Sequence, residues 1–168
     1  MAHRRVDRQG GGRGRLSGWR LEVASLLAAA PEDVWARVGT VDGVNLELAP
    51  WLRLTAPRDV RRLEDLPPGR TAFRAWVLLL GVVPVEVDRV CLVRVQPLHG
   101  YLERSRLVTQ RAWRHERTLE RRADGTLLVD RVAAVPRWQV AVALQRALVL
   151  AVFRHRHRRL RAAFGALS

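Results

Sequence analysis

The C-terminal stretch from Trp138 to Leu167 constrains the fold most, because it is long enough to form one helix that spans a small domain. Apolar residues recur along it at spacings of three, four and seven, which places them on one stripe of an α-helix. The members of this stripe are Val142, Val149, Phe153, Leu160, Phe164 and Leu167. In the second half of the stretch the opposite side is charged, so that half is predicted to be half-buried.

In the first half of this helix the side opposite the stripe is also apolar, since it carries Val140, Leu144, Ala147, Leu148 and Ala151. A helix that is apolar all round needs cover on both sides. We therefore expect the stripe to face an internal cavity. Leu144 and Leu148 would then be covered by a loop of the chain, by a second subunit in a homodimer, or by a membrane surface.

Before the long helix, the sequence predicts a strand and two short helices. Polar and small residues alternate with apolar ones from Trp19 to Leu27, as in a half-buried strand. A helix is predicted to begin at Pro31, because proline suits the first helical turn and acidic residues follow it. A second helix is predicted from Asp42 to Leu48, with Asp42 as its N-cap and Pro50 after its end.

The remaining segments have strand character and are separated by Pro and Gly turns. The predicted strands are Leu52–Thr55, Val60–Leu63, Thr71–Leu80, Val83–Val95, Tyr101–Val108, Arg111–Arg122 and Thr126–Val135. The strand with the clearest alternation begins at Val83, and its odd-numbered valines with Cys91 are predicted to form the buried face. Glu86 and Asp88 would then lie on the wet face.

Composition favours one compact domain with a basic surface. The formal net charge is +14, and all 30 basic residues are arginine, spread along the chain instead of clustered. This distribution favours solvated faces over nucleic-acid binding. Residues 1–18 are predicted to form a disordered Arg/Gly-rich tail and residues 19–168 to form the domain. The single cysteine, Cys91, is compatible with a reducing cytoplasm, where we expect the protein to act.

Several segments, taken in order, resemble those of the START-like superfamily, also called SRPBCC, which includes polyketide cyclases and the birch-pollen-allergen type. They are APEDVWA, LLLGVVPVEVDRV, GYLERSRL, WRHERTLERRADGTLLVDRV and FRHRHRRLRAAFG. The resemblance implies an α+β helix-grip fold, with a seven-stranded antiparallel sheet wrapped around the long C-terminal helix. It also implies a cavity between them that binds lipids, sterols, polyketides or other hydrophobic molecules.

We therefore expect this protein to bind or transport a hydrophobic or aromatic small molecule, lipid- or polyketide-like, without a cofactor or a metal. A mainly apolar wall with few polar groups would provide specificity. The predicted cavity residues are Trp76, Val85, Cys91, Val93, Tyr101, Glu103, Trp113, His115, Arg117 and Val149. Arg117 is also expected to pair with Asp130 across the Asp124–Gly125 turn.

Two alternatives stay open at this stage. Some members of the superfamily are cyclases or aromatases, and His115 with Glu103 or Tyr101 would supply the acid–base groups for such a reaction. Whether the protein is an enzyme is therefore undecided. The charge of +14 indicates, as the second alternative, contact with an anionic membrane or a nucleic acid, of which nucleic acid is the less favoured.

Overall fold

Residues 18–167 are described in a computed structural model of the chain. The predicted tail lies outside the described residues apart from Gly18. The strands are β1 Trp19–Leu27, β2 Leu52–Leu54, β3 Phe73–Leu79, β4 Val83–Val90, β5 Leu92–Gln96, β6 Gly100–Glu103, β7 Arg106–Leu107, β8 Gln110–Arg122 and β9 Gly125–Pro136. The α-helices are α1 Pro31–Val38, α2 Val41–Leu48 and α3 Val142–Phe164.

The described strands form two antiparallel sheets that are joined at a bend. The five-stranded sheet has the order β1-β9-β8-β6-β5, and the four-stranded sheet has the order β2-β3-β4-β7. Only Cys91 separates β4 from β5, and only Arg104 and Ser105 separate β6 from β7. Two long predicted strands are thus each divided at the bend, and the predicted strand at Val60–Leu63 does not form, so the eight predicted strands become nine among the described residues. The α+β helix-grip arrangement is confirmed.

The C-terminal helix lies across the inner face of the larger sheet. It packs against β1 and α2, and its buried residues join two apolar clusters. Leu160 packs with Leu27 and Leu128 in one cluster, and Phe153 packs with Trp19 and Val132 in the other. The two short helices cover one end of this core. The predicted stripe on α3 therefore forms the inner face of the domain.

Three predicted boundaries are wrong. The segment predicted as a strand from Val60 instead leads into a 3₁₀ turn at Leu63–Asp65. Thr40, not Asp42, caps α2, because its Oγ1 accepts a hydrogen bond from the Gly43 amide at 3.0 Å. The long helix begins at Val142 after a 3₁₀ turn, four residues later than expected.

The face of β4 that points to the interior is the opposite of the predicted one. Asp88 pairs with Ala75, which is fully buried, and both point inward, whereas Val83 is exposed. The pairing of β3 with β4 shifts register between Val77 and Leu78, so Val85 and Glu86 both reach the interior. Alternation shows that a strand has two unlike faces, but the partner strand decides which of them is covered.

Candidate functional site: an apolar cavity with a polar end

A cavity of about 420 Å³ lies between α3 and the inner faces of the two sheets. Its wall is mainly apolar, with residues from the helices α2 and α3, from every strand between β2 and β8, and from the 3₁₀ turn at Leu63–Asp65. The apolar lining residues are Val44, Leu48, Leu52, Leu54, Leu63, Val77, Val85, Val90, Leu92, Leu107, Trp113, Leu148, Val149, Val152 and Phe153. A volume of this size lies within the range of small-molecule sites, which is roughly 300–1,000 Å³.

Several of the predicted cavity residues lie on this wall: Val85, Tyr101, Glu103, Trp113, His115 and Val149. Alternation along β8 was the signal for two of them, because Trp113 and His115 share one face of that strand. Their role in binding stays a prediction.

The other predicted cavity residues lie elsewhere. Trp76 is exposed on the outer face of β3, because its neighbour Val77 takes the inner one. Cys91 and Val93 point away from the cavity, since Val90 and Leu92 point into it. Arg117 is fully buried behind the wall, where it makes ion pairs.

One end of the cavity is polar and is organised around His115. Its Nε2 lies 2.8 Å from Asp130 Oδ1, and its Nδ1 lies 3.5 Å from Glu103 Oε2. Ser105 Oγ donates a 2.5 Å hydrogen bond to the other Glu103 oxygen. The ring of Tyr101 meets the His115 ring edge-on, with the centroids 5.3 Å apart. An acid, an imidazole and a phenol thus converge on one part of the wall.

Asp88 adds a carboxyl group that is neutral at physiological pH. Burial, followed by the negative charge of Glu103, raises the pKa of Asp88 to about 9. Burial alone would also raise the pKa of Glu103, but its hydrogen bonds with His115, Ser105 and Asp88 outweigh that effect and hold it below the ordinary value. Together, the two carboxyl groups of Asp88 and Glu103 therefore carry one proton, held on Asp88, and one negative charge, held on Glu103.

Two further donors line the polar end. Burial raises the pKa of Tyr101 to about 12, so its hydroxyl stays protonated, and it makes no hydrogen bond with any residue of the described range. Arg156 donates from Nε to Glu47 at 2.9 Å, and its guanidinium lies 5.0 Å over the Phe153 ring. Its Nη2 also lies 2.9 Å from Glu47 Oε2, so both nitrogens face that carboxylate.

An unpaired acceptor lies farther along the wall. Gln110 is buried, and its Nε2 donates to Gln145 Oε1 of α3 at 3.0 Å. Its Oε1 has no hydrogen-bond partner in the described part of the chain. Glu86 also borders the cavity, but its carboxylate accepts hydrogen bonds from the Val108 and Thr109 amides and so holds the turn between β7 and β8.

Behind the polar end, the charged groups form a closed network. Asp130 accepts two hydrogen bonds from Arg117 and lies within hydrogen-bond distance of His115 and His157. Burial would raise the pKa of Asp130, but the charge of Arg117 overrides that effect and holds the pKa well below its usual value. Glu47 joins Arg117 to Arg156. The expected Arg117–Asp130 pair is present and positions the His115 ring from behind.

The polar residues of this region that escaped the sequence analysis are Glu47, Glu86, Asp88 and Arg156, besides Ser105 and Gln110. Glu86 and Asp88, which both lie on β4, were assigned to the solvent-exposed face. The signal for Arg156 was present, because it continues the stripe of Val149 and Phe153 at helical spacing. Nothing in the sequence pattern marked Glu47, whose partners come from distant elements.

Among residues 18–167 there is no group of three or more side chains that could hold a metal ion. The two histidines of α3 point apart, as their spacing predicts: His155 approaches the Ala49 carbonyl oxygen, whereas His157 is buried against Asp130. No helix in the described part of the chain is both long and apolar enough to cross a membrane.

Known structures share this architecture at low sequence identity. Protein CV1439 from Chromobacterium violaceum has a TM-score of 0.65 and 13% identity, over 88% of this chain and 99% of that one. StfQ, a di-domain ARO/CYC from the steffimycin biosynthetic pathway, has a TM-score of 0.61 and 12% identity, over 88% of this chain and 50% of that one. Ara h 8.0201 has a TM-score of 0.56 and 11% identity, over 87% and 99%.

These structures share the helix-grip fold with this chain, which is the fold that the resemblance to the START-like, or SRPBCC, superfamily implied. The family model described as "Domain of unknown function (DUF8410)" matches residues 25–164, and the chain belongs to that family. No curated protein matches the chain.

Proposed function

We propose that the protein binds a mainly apolar, oxygen-bearing small molecule in the cavity and carries it without chemical change. The observation that supports this proposal is the cavity of about 420 Å³, whose long apolar wall ends in convergent polar groups. Burial of an apolar ligand body supplies affinity, and a few fixed polar groups supply orientation. The single cysteine suggests that this binding takes place in the cytoplasm.

The polar groups indicate which ligand fits. The Tyr101 hydroxyl is a donor that suits a carbonyl or phenolate oxygen, and the positive charge of Arg156 lies on the same wall. Glu103 and the Gln110 Oε1 are acceptors that suit ligand hydroxyl groups. An aromatic body with oxygens at its end, as in a polyketide, satisfies both sets. StfQ, which shares the fold, is described as a di-domain ARO/CYC from the steffimycin biosynthetic pathway, and that description is consistent with this class of ligand.

Native mass spectrometry of the purified protein, followed by release and identification of any bound molecule, tests the proposal. We expect a co-purifying aromatic or lipid-like compound. Alternatively, we expect saturable binding of a hydroxylated naphthalene probe, measured by the quenching of tryptophan fluorescence. Val149→Trp fills the cavity and should abolish binding of the probe. Val140→Trp makes the same substitution at a fully exposed position and should leave binding unchanged. Equal binding by both variants would place the probe outside the cavity and refute the proposal.

A second candidate is an acid–base reaction of the cyclase or aromatase type on the bound molecule. The specific observation in its favour is the Asp88–Glu103 pair beside His115, which holds both a proton donor and a base. A base of this kind would remove a proton next to a ligand carbonyl, and the neutral acid or the Tyr101 hydroxyl would donate one to its oxygen.

Hydrogen–deuterium exchange at the acetyl group of 2-acetonaphthone, followed by NMR, tests this second candidate. An active site should accelerate exchange, and Glu103→Gln should lose the acceleration while still binding the ketone. Failure of the wild-type protein to accelerate exchange, despite measurable binding, would favour the carrier function alone.

A further inference from the structure

The outer face of the smaller sheet carries three arginines side by side. Arg74 lies directly opposite Arg89, and Arg89 lies directly opposite Arg106. None of them makes an ion pair or a hydrogen bond through its side chain with a residue in the described range. Like charges opposite each other destabilise a sheet, so this row opposes folding. We call these three residues the arginine row.

Next to the arginine row, the same face becomes apolar. Trp76 is half exposed and lies opposite Val87, one pleat beyond Arg74. The hairpin that joins β3 to β4 then exposes its four largest apolar side chains, which are Leu79, Leu80, Val82 and Val83. No charged residue occurs between Arg74 and Glu86. We call the four exposed hairpin residues the aliphatic tip, or hairpin tip. Along the strands, the outer face therefore presents first the arginine row, then Trp76 and finally this tip.

The residue at the tip is costly for folding in two ways. Leu80 is 58% exposed, and its backbone has a φ of 51°, in the left-handed region. A bulky apolar residue is rare in that conformation, where Gly or Asn is preferred. Neither its exposure nor its backbone is explained by packing within the domain.

The first half of α3 extends this apolar surface to the cavity. Leu144 and Leu148 are more than half exposed, as is Val140 in the 3₁₀ turn just before α3, and Leu148 also lines the cavity wall. Val85, just beyond the hairpin tip, is exposed and lines the same wall. The apolar surface therefore borders the mouth of the cavity. Within residues 18–167, no loop of the chain covers Leu144 or Leu148.

We propose that the arginine row, Trp76, the hairpin tip and the exposed side of α3 together form a docking face for an anionic lipid bilayer. The aliphatic tip and Leu144 enter the acyl boundary, Trp76 lies at the interface, and the arginine row meets the lipid phosphates. The formal net charge of +14 complements such a surface.

Other occupants fit this face less well. A nucleic acid would pair with the arginine row but would leave the aliphatic tip without a partner. A second copy in a two-fold dimer would present the same patch, whose side chains as defined above include no carboxylate, so the arginine row would gain no counter-charge. Only a bilayer offers phosphates and hydrocarbon in the order in which this face presents arginine, tryptophan and aliphatic side chains.

Transfer of a ligand from the bilayer into the cavity would rest on the proposed function, but docking itself does not. Flotation of the purified chain with vesicles tests docking alone, with equimolar phosphatidylglycerol and phosphatidylcholine compared with phosphatidylcholine only. We expect binding to the anionic vesicles that weakens in high salt.

Two variants test the residues of the docking face. Leu80→Asn suits the left-handed backbone, so it should keep the fold and weaken vesicle binding about tenfold. Arg74→Gln/Arg89→Gln should weaken it roughly 20-fold at low salt.

Matched control variants separate docking from general charge and stickiness. Arg121→Gln/Arg122→Gln removes the same charge near the β8–β9 turn, and Leu46→Asn removes an exposed leucine on α2; both should bind like the wild type. Equal losses in the control and test variants would overturn the proposal. The proposal would also fail if Leu80→Asn left vesicle binding unchanged while duplex DNA displaced the protein from the vesicles. Dissociation of a dimer by Leu80→Asn in vesicle-free solution would likewise refute it, because the face would then be a dimer interface. A co-purifying cavity ligand without vesicle binding would refute docking and leave the proposed function intact.

Discussion

Arg117 and Glu47 are 70 residues apart in sequence, yet their side chains meet in a two-point ion pair, with Nη1 to Oε1 and Nη2 to Oε2 both at 2.9 Å. Both side chains are almost completely buried. The same guanidinium also bonds both oxygens of Asp130, so it joins α2 to β8 and β9 at the back of the cavity. The position of the His115 ring depends on this arrangement.

Arg117→Met should destabilise the domain strongly, because it leaves Glu47 and Asp130 buried without their main counter-charge. Removal of one partner from a buried ion pair costs about 3–5 kcal/mol. Chemical denaturation measures the free energy of unfolding. Arg121→Met is the control, since its ion pair with Glu32 is exposed and screened by solvent, so its loss should change the free energy of unfolding little. Equal losses from the two variants would contradict the structural role of the network.

Asp88 should make the domain less stable as the pH rises. Its pKa is about 9 in the folded chain, against 3.8 ordinarily, so between these values the folded chain holds a proton that the unfolded chain has released. Its contribution is therefore greatest below pH 3.8 and is lost as the pH rises towards about 9, by up to about 1.4 kcal/mol per pH unit. The lowered pKa values of Glu47 and Asp130 act only at acid pH.

Unfolding free energies of the wild type and Asp88→Asn, measured from about pH 6 to about pH 9, check this sign. The wild type should lose stability across the range, whereas Asp88→Asn should show a flatter profile because its amide does not titrate. Parallel profiles would mean that Asp88 is ionised in the folded chain.

Gly100 should tolerate no side chain, because β6 approaches β8 closely behind the cavity. A Cβ at this position would lie 1.9 Å from the Arg117 carbonyl oxygen, and φ is 122°. Gly100→Ala should therefore cost more than Gly81→Ala, whose φ is 76° with open space around it. We expect about 1–2 kcal/mol for Gly81→Ala from backbone strain and several kcal/mol for Gly100→Ala, as measured by thermal or chemical unfolding. Similar losses would show that β6 can shift away from β8.

Much of the fold followed from local patterns. Alternation predicted β1 with its observed bounds, and a proline with acidic neighbours marked the start of α1. The turn signal at Asp124–Gly125 predicted the pairing of Arg117 with Asp130, although the two turn residues are Ala123 and Asp124. The fold class rested on the order of these elements and on the resemblance of several segments. These features depend on near neighbours in the chain, so sequence reasoning reaches them.

The candidate site was only partly predictable. Alternation placed Trp113 and His115 on one face, but in the stretch that forms β4 and β5 it assigned Cys91 and Val93 to the cavity in place of Val90 and Leu92. A one-residue difference in register exchanges the two faces of a strand, and the pairing here is irregular between β3 and β4 and again between β5 and β6.

The sequence by itself determined which segments become strands and helices, that α3 has an apolar stripe, and that the chain is strongly basic. Only the tertiary structure decided that Asp88 faces inward, that Glu47 and Arg156 join Arg117 and Asp130, and that three arginines stand in a row beside an exposed apolar hairpin. The physical reason is that periodicity arises within one segment. Burial of a charge and the adjacency of side chains depend instead on which distant segments pack together.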